Sequence, residues 1–395
     1  MKILSITAQK PHSTGSGVYL TQLVRAWDAM GCQQAVVAGL APGDQTHFPA
    51  GVALFPVRYE TADLPFPVVG MSDEMPYSST RYRDLSPEMV QQLSHAFRQA
   101  VQQAVEALDP DLVVCHHLYL LTALVRQWLP ERRVVGVCHG SDLRQLRKNP
   151  LARDLIRENI PRLDGIFALH QQQRQEILRL FPCPAERVRI AGAGYDPTVF
   201  FPAGEPRTGP KKHLIFAGKV TEKKGVFSLL RALEQLPYPR EALQVTLAGG
   251  HGPQAEFDAI RALAAASPYP VALPGPLPQT QLAALLREGD VFVLPSFFEG
   301  LPLVNLEAMA CGCRVVCTDL PGIAQWYDRN LPGHGTFFVP PPPMGNLDEP
   351  DPHALPAFEA RLAAALVQAL DAPRTPAPDL SPLSWGAVAR RIAGE

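Results

Sequence analysis

Short apolar runs alternate with longer segments whose apolar residues recur at helical spacing, and this alternation extends along most of the chain. In the first half it predicts strands at Ile3–Thr7, Ala35–Ala38, Val52–Pro56, Asp111–Cys115, Val134–Cys138 and Gly165–Leu169. It predicts helices there at Val18–Met30, Glu88–Leu108, Leu120–Leu129 and Leu151–Ile160. Strands that alternate with helices in this way are typical of a parallel sheet with helices on both faces.

A second series of the same kind follows Phe201–Pro210, a segment rich in proline and glycine that we expect to be a linker. Its strands are expected at His213–Ala217, Gln244–Ala248, Val271–Leu273, Val291–Leu294 and Arg314–Cys317. Its helices are expected at Val226–Leu236, Glu256–Ala266, Gln279–Glu288 and Leu303–Ala310. The proline-rich segment Pro340–Pro356 should be irregular, and helices at Phe358–Leu370 and Trp385–Ala393 complete the pattern.

The length of the chain indicates that these elements form two domains. A chain of 395 residues, 46% of them hydrophobic, is too long for one ordinary core. We therefore expect an α/β protein with doubly wound, Rossmann-like domains at residues 1–200 and 211–372, and a C-terminal tail or helix at 373–395 that can pack back on the first domain. Two such domains place a cleft at the carboxyl ends of their strands, where ligands bind in open α/β sheets.

Charge and composition exclude several classes of protein. The formal net charge is −2 and 19% of residues are charged, so we expect no nucleic-acid partner and no disordered chain. The first residues predict a strand rather than a signal peptide, and no stretch reaches the ~20 apolar residues of a membrane span. We expect a cytoplasmic protein; a peripheral contact at the inner face of the plasma membrane remains compatible with this.

Cysteine and histidine patterns give no metal site. The seven cysteines form no Cys-x-x-Cys pair and are best interpreted as reduced thiols. The adjacent His116 and His117 should point apart on a strand, with no acidic cluster after them. A basic stretch with members at Arg144, Arg147 and Arg153 predicts a solvated helix face, with an anionic acceptor or a lipid surface as the alternative.

The segment from Glu299 to Gly312 is the most informative part of the chain. Glu299 follows a predicted buried strand, and Glu307 lies inside a helix that should begin near Leu303. A helix start offers free N–H groups and partial positive charge, so it can hold a diphosphate without a metal. The residues at this start are Gly300, Leu301, Pro302, Leu303 and Val304. Glu299 can accept hydrogen bonds from sugar hydroxyls, and Glu307, two turns further on, can reach ribose hydroxyls.

The pattern around these glutamates, Pro-Ser-x-x-Glu-Gly-x-Pro-x-x-x-x-Glu-Ala-x-Ala-x-Gly, resembles the signature of glycosyltransferase family 4. That family contains retaining enzymes of the GT-B fold. The resemblance implies an active site in the cleft between two Rossmann-like domains. It also implies that the first domain takes the acceptor and the second takes the nucleotide-sugar donor.

A basic turn after the first strand of the second series extends the resemblance. The sequence from Gly218 to Gly225 reads Gly-Lys-Val-Thr-Glu-Lys-Lys-Gly, where the family usually has Gly-Arg and then Lys-Gly. Lys219 replaces the usual arginine, so it keeps the charge and loses the bidentate fork. Lys224 matches the family lysine because Gly225 sets the register, although Lys223 competes for that role. The resemblance implies that Lys219 and Lys224 bind the diphosphate and stabilise the leaving group.

Further matches are shorter. In His139-Gly140-Ser-Asp142, the resemblance implies that His139 faces the donor sugar, while Gly140 lets a ligand come close and Asp142 either orients His139 or caps the next segment. Other matches are Gly17 in a loop near the diphosphate or the acceptor, Gly250 in a glycine loop, Leu277 in a segment whose backbone meets the base, and Gly194-Tyr-Asp196 at the domain junction.

The resemblance implies transfer of a sugar from a UDP- or GDP-type nucleotide-sugar to an acceptor hydroxyl with retention of configuration. The nucleotide-sugar is a co-substrate, and we expect no cofactor and no metal. The acceptor is unidentified: a glycan, a lipid-linked sugar or a small molecule, in bacterial glycan, lipopolysaccharide or glycolipid synthesis. The alternatives are a non-catalytic nucleotide-sugar-binding partner and a GT-B nucleotide-sugar epimerase.

Overall fold

A computed structural model of the protein describes residues 1–73, 75–203, 211–346, 349–373 and 378–394. The chain forms two compact units. The first contains Met1–Gly194 and the residues from Trp385 onward, and the second contains Tyr195–Ser384. The division therefore falls a few residues before the predicted boundary at 200. The predicted linker extends largely into residues 204–210, which lie outside the described residues.

The described part of the first unit contains a parallel sheet of seven strands in the order β3-β2-β1-β6-β7-β8-β9. The strands are β1 (Lys2–Thr7), β2 (Gln33–Leu40), β3 (Ala53–Arg58), β6 (Leu112–His116), β7 (Val134–Val137), β8 (Gly165–Ala168) and β9 (Val188–Ile190), with a separate short pair, β4 (Val69–Gly70) and β5 (Thr80–Arg81). The helices are α1 (Gly15–Ala29), α2 (Pro87–Leu108), α3 (Leu120–Trp128), α4 (Ser141–Lys148), α5 (Arg153–Asn159), α6 (Gln171–Leu180) and the C-terminal α13 (Trp385–Ala393).

The local sequence explains where these helices begin and end. The side chain of Thr14 accepts a hydrogen bond from the Gly17 N–H at the start of α1. Ser86 caps α2 in the same way, and Pro87 occupies its first turn, where a missing N–H does no harm. The C-terminal helix α13 is held to α1 by a hydrogen bond in which the Trp27 indole N–H donates to the Ala389 carbonyl at 3.2 Å. The C-terminal helix therefore completes the first unit.

The described part of the second unit contains a parallel sheet of six strands in the order β12-β11-β10-β13-β14-β15. The strands are β10 (Lys212–Ala217), β11 (Leu243–Ala248), β12 (Val271–Gly275), β13 (Val291–Leu294), β14 (Arg314–Thr318) and β15 (Phe337–Val339). The helices are α7 (Val226–Leu233), α8 (Gln254–Ala266), α9 (Gln279–Arg287), α10 (Leu303–Ala310), α11 (Ile323–Asn330) and α12 (Leu355–Asp371). The strand order reverses between β10 and β13, and the loops after these two strands lie at the point where open α/β sheets bind ligands.

The predicted α/β class and the predicted parallel sheets are confirmed, while several short elements were missed. These are β9, β15, α4, α6 and α11. The two strands have three residues each, too few for an apolar run to stand out. The helix α6 begins with three glutamines and buries only two residues, so its sequence has little apolar periodicity. No helix among the described residues is both long and apolar enough to cross a membrane.

Candidate functional site

The basic turn after β10 is held against the loop after β13. Gly225 has a φ of +71°, and a Cβ atom placed on it would lie 2.1 Å from the carbonyl oxygen of Pro295. The Phe297 N–H also donates to the Lys223 carbonyl at 3.1 Å. Only glycine fits this approach of two backbones. The glycine that set the sequence register therefore has a structural reason to follow Lys224.

Replacing Gly225 by Ala is expected to lower the free energy of unfolding of the second unit by about 3 kcal/mol or more. The left-handed backbone costs about 1 kcal/mol, and the clash with Pro295 adds to it. Gly275→Ala is the matched control, because Gly275 also has a positive φ of +81° but nothing within 4 Å of the added Cβ. Thermal unfolding of the two variants should separate the cost of the clash from the cost of the left-handed backbone. Equal losses in both would show that the Gly225 contact contributes nothing.

The glycine loop after β11 closes the other side of the basic turn. The Gly218 N–H donates to the Ala248 carbonyl at 2.9 Å, and the Val220 N–H donates to the Gly250 carbonyl at 2.7 Å. A Cβ on Gly249 would lie 1.8 Å from the Gly218 oxygen, whereas a Cβ on Gly250 would meet nothing within 4 Å. Gly250 thus faces open space, where a ligand can approach the backbone.

Lys224 and Glu299 meet at this edge of the sheet. The Lys224 ammonium donates to Glu299 Oε1 at 2.5 Å, and the two side chains are 28% and 16% exposed. The pair joins the basic turn to the loop that leads into α10. The sequence assigned these residues to different parts of one ligand; the structure shows in addition that they contact each other.

The start of α10 carries no side-chain cap. Pro302 occupies the cap position in an extended conformation and provides no side-chain acceptor. The residues Leu301 and Pro302 are buried, and Gly300, Leu303 and Val304 are half-buried. The first N–H groups of a helix need an external acceptor when no side chain supplies one. This start follows directly on Glu299 and can accept an anion.

Glu307 lies inside α10 and is 8% exposed. Burial, and next the charge of Asp196, raise the pKa of its carboxyl group to about 7. Within the described part of the chain, the carboxyl group has no hydrogen-bond or ion-pair partner. A buried carboxyl without a partner is costly, so this group is suited to a ligand that donates hydrogen bonds. Its neighbour Asp196 comes from the Gly-Tyr-Asp segment.

His139 follows β7 in the first unit. Its Nε2 atom lies 3.1 Å from Nδ1 of His116, at the end of the neighbouring strand β6. The rings of Tyr19 and His139 are in a T-shaped contact with a centroid distance of 5.2 Å. Burial, and next the charges of His117 and His116, hold the pKa of His139 well below its usual range, so its imidazole is neutral at pH 7.

Asp142 holds the backbone around His139 rather than its ring. The buried carboxylate accepts hydrogen bonds from the N–H groups of Leu118 at 2.7 Å and His139 at 3.3 Å. It also accepts one from the Leu143 N–H at the start of α4. Asp142 thus ties down the loop that carries His139, whereas α4 begins after Gly140 without a side-chain cap. The ring itself is oriented by His116, which sequence reasoning did not assign to the site.

The prediction that His116 and His117 point apart was wrong. The strand β6 ends at His116, and His117 has a φ of +72°, which turns the chain out of the extended conformation. Both rings therefore lie beside His139, at centroid distances of 5.3 Å and 4.8 Å. Among the described residues, no group of three or more His, Cys, Asp or Glu side chains is arranged to hold a metal ion.

The remaining predicted site residues have different surroundings. Gly17 lies in the first turn of α1 rather than in a loop. A Cβ atom placed on it would lie 2.9 Å from the Lys10 carbonyl oxygen, which is closer than side chains normally approach. Packing alone thus explains this glycine. Gly140 has a φ of +86° and precedes α4. Leu277 is half-buried in the loop after β12.

The basic stretch forms parts of α4 and α5 and is tied to the first unit. Arg147 pairs with Glu176 at 2.8 Å. Arg144 donates to the Ser72 hydroxyl at 3.1 Å, and Arg153 donates to the carbonyls of Leu146 and Asn149. These contacts fit a helix surface held by its own neighbours.

Two family models match the chain, one over most of the first unit and the other within the second. Residues 13–199 match a family model described as Glycosyltransferase Family 4, and residues 211–345 match one described as Glycosyl transferases group 1. The alpha-maltose-1-phosphate synthase of Mycolicibacterium smegmatis is 31% identical over 220 residues, which cover 51% of this chain and 53% of that protein. The D-inositol 3-phosphate glycosyltransferase of an Arthrobacter species is 34% identical over 160 residues, 38% of each protein. The chain thus spans about half or less of the length of these relatives.

The fold is similar to that of a sucrose-phosphate synthase from Thermosynechococcus elongatus, with a TM-score of 0.69 at 18% identity over 100% of this chain and 98% of that one. Two parallel-sheet units, with a basic turn and a helix start at the strand switch of the second, define a protein of the GT-B fold class. With both of its halves matched by glycosyltransferase models, the chain belongs to the family 4 type of glycosyltransferases.

Proposed function

We propose that this protein transfers a sugar from a UDP- or GDP-type nucleotide-sugar to an acceptor hydroxyl, with retention of the anomeric configuration and without a metal ion. The observation that carries the proposal is the contact between Lys224 and Glu299 next to the uncapped start of α10. It puts a cation, a hydrogen-bond acceptor and a row of N–H groups at the strand switch of one sheet. That set suits a diphosphate joined to a sugar.

The donor diphosphate is bound by Lys219, Lys224 and the N–H groups at the start of α10. The helix start contributes partial positive charge, and the lysines contribute full charges. When the sugar leaves, negative charge grows on the departing phosphate oxygen. Cations fixed beside that oxygen stabilise the transition state more than the ground state.

The other donor contacts are assigned by the chemistry of each group. Glu299 accepts hydrogen bonds from sugar hydroxyls, and Glu307 accepts them from the ribose. The backbone near Leu277 meets the base, so side chains there do not select between nucleotides. His139 positions the sugar through a hydrogen bond to one of its hydroxyls.

Retention follows from front-face displacement. The bond between the anomeric carbon and the phosphate oxygen breaks, and the phosphate keeps the electron pair. The acceptor oxygen bonds to the same face of that carbon, and its proton moves to the departing phosphate oxygen. No protein nucleophile is needed, and the lysines offset the charge on the leaving group.

The acceptor is the finer part of the proposal. The relatives named above are a maltose-1-phosphate synthase and an inositol 3-phosphate glycosyltransferase, which favours sugar-like acceptors that carry a phosphate. The candidate pathways for such an acceptor are glycan, lipopolysaccharide and glycolipid synthesis. We assign the choice between them to the first unit, where the loops after β1, β6 and β7 lie at one edge of the sheet.

A thermal-shift screen against UDP, GDP, ADP and their sugars, in buffer with EDTA, tests the donor assignment. A ligand at about 100 times its Kd stabilises a protein by about 2.7 kcal/mol, which raises Tm by about 5–10 °C for a unit of this size. We expect one nucleotide and its sugars to give this shift and the others to give little. The absence of a shift with every nucleotide, or a shift only after a divalent cation is added, would refute the proposed donor site.

The affinity for the nucleotide-sugar should rise about tenfold between about pH 6 and pH 8. The pKa of Glu307 is raised to about 7, so its carboxyl group is mostly protonated at the lower pH and mostly ionised at the higher one. Only the ionised form accepts hydrogen bonds with both oxygens from the ribose. Calorimetric titration with an intact nucleotide-sugar measures this, because both of its phosphates are esterified and keep their charge in this range.

Glu307→Gln is the matched control for the pH dependence. It should bind more weakly and with an affinity that no longer changes with pH. If the variant keeps the wild-type pH profile, the titrating group is not Glu307 and its ribose role is wrong.

A further inference from the structure

Two neutral imidazoles, those of His116 and His139, contact each other at the ends of the neighbouring strands β6 and β7. Nε2 of His139 and Nδ1 of His116 are 3.1 Å apart, a hydrogen-bond distance. The planes of the rings are 13° from parallel. Burial lowers the pKa of both rings, that of His116 to about 3, so neither is charged at pH 7. One ring must therefore donate its single N–H to the other, and the pair has only two arrangements.

The other ring nitrogen of His116, Nε2, shows which of the two arrangements is favoured. His116 is 3% exposed, and its Nε2 atom is buried without a hydrogen-bond partner among the described residues. If His139 donated, the proton of His116 would sit on this Nε2, leaving an unpaired N–H in the interior. If His116 donates from Nδ1, its Nε2 is a bare lone pair. Buried orphan N–H groups are rarer than under-satisfied acceptors, so the second arrangement is favoured.

The ring of His139 is then determined as well. Its Nε2 accepts from His116, so its own proton is on Nδ1. The structure gives Nδ1 no partner among the described residues, and it is the nitrogen left for a ligand. The nearby Tyr19 hydroxyl does not compete, because it donates to the Gly192 carbonyl at 2.9 Å. The third ring, His117, contacts His139 without a hydrogen bond between them.

We propose that His116 is a positioning residue that fixes His139 in its Nδ1–H form, so that His139 presents a hydrogen-bond donor to its ligand. Within the proposed function, which this inference rests on, the ligand atom is an oxygen of the donor sugar. His139 then acts neither as a base for the acceptor nor as a cation. A neutral donor suits a site where positive charge develops on the anomeric carbon.

Isosteric substitutions of His116 test the assignment. His116→Asn places an amide N–H where Nδ1–H was, and His116→Asp places an acceptor there. Long-range ¹H–¹⁵N spectra of histidine-labelled protein report which ring nitrogen carries the proton. The His139 signals are identified by their loss in His139→Gln. We expect a proton on Nδ1 of His139 in the wild type and in His116→Asn, and on Nε2 in His116→Asp.

Turnover should follow the position of that proton. We expect kcat/KM of His116→Asn to stay within about threefold of the wild type, and that of His116→Asp to fall by about 10- to 100-fold. A wild-type proton on Nε2 of His139 would overturn the inference, as would an unchanged tautomer and unchanged turnover in His116→Asp. The spectra require no catalysis, so they decide the tautomer even if the donor screen shows that the proposed function is wrong.

Discussion

Replacing Glu299 by Gln is expected to lower the rate of sugar transfer by about 100-fold or more while the fold is retained. The amide has the same shape as the carboxylate, so packing around the loop after β13 should not change. The ion pair with Lys224 is lost, together with the acceptor assigned to a sugar hydroxyl. Single-turnover rates and thermal unfolding, measured on the same preparation, separate chemistry from stability.

A second lysine–carboxylate pair in the same unit provides the control. Lys212 and Asp371 are also 2.5 Å apart, but Lys212 is the first residue of β10, at the opposite end of that strand from the basic turn. Asp371→Asn removes an ion pair of the same kind and should leave transfer within about twofold, since such exposed pairs contribute little. Full activity in Glu299→Gln would overturn the assignment of this glutamate.

Lys224→Met should lower kcat by about 100- to 1000-fold, because it removes the cation assigned to the leaving phosphate. It also leaves Glu299 partly buried without its cation, which should lower the free energy of unfolding by about 1–2 kcal/mol. The measurements are kcat and KM for the nucleotide-sugar, together with thermal unfolding. Lys224→Arg should recover part of the rate, since it restores the charge.

The neighbouring lysine is the matched control and settles the register of the basic turn. The loop after β13 contacts Lys223 through its backbone carbonyl, a contact that a change of side chain leaves in place. Lys223→Met should therefore reduce kcat less than about fivefold. If it is the more damaging of the two substitutions, the leaving group is bound by Lys223 and the Lys224 assignment is wrong.

Much of the fold was predictable because it depends on local patterns. The strands β1, β6 and β10 each contain a short apolar run, and each is buried over almost its whole length. The capped helix α2 has a start signal at Ser86 and Pro87 and a strong apolar stripe. The exact domain junction, between Gly194 and Tyr195, was harder to place, because no local pattern marks it.

The composition of the site was more predictable than its contacts. Lys224 and Glu299 were both selected from motifs, but they are 75 residues apart, and only the neighbouring positions of β10 and β13 bring them together. His116 was missed because it was interpreted as one of two residues on a continuing strand. The order of β6 and β7 in the sheet, and the strand end at His116, are what place it beside His139.

The most direct test of the central claim is a reaction followed by NMR in buffer with EDTA. It uses the α-configured nucleotide-sugar that binds best, together with a panel of glycan and phosphosugar acceptors. We predict release of the nucleoside diphosphate and formation of an α-glycoside. A β-glycoside would contradict retention, and conversion of the nucleotide-sugar without an acceptor would identify an epimerase. Tight binding without turnover across the whole panel would contradict the claim and identify a non-catalytic binding protein.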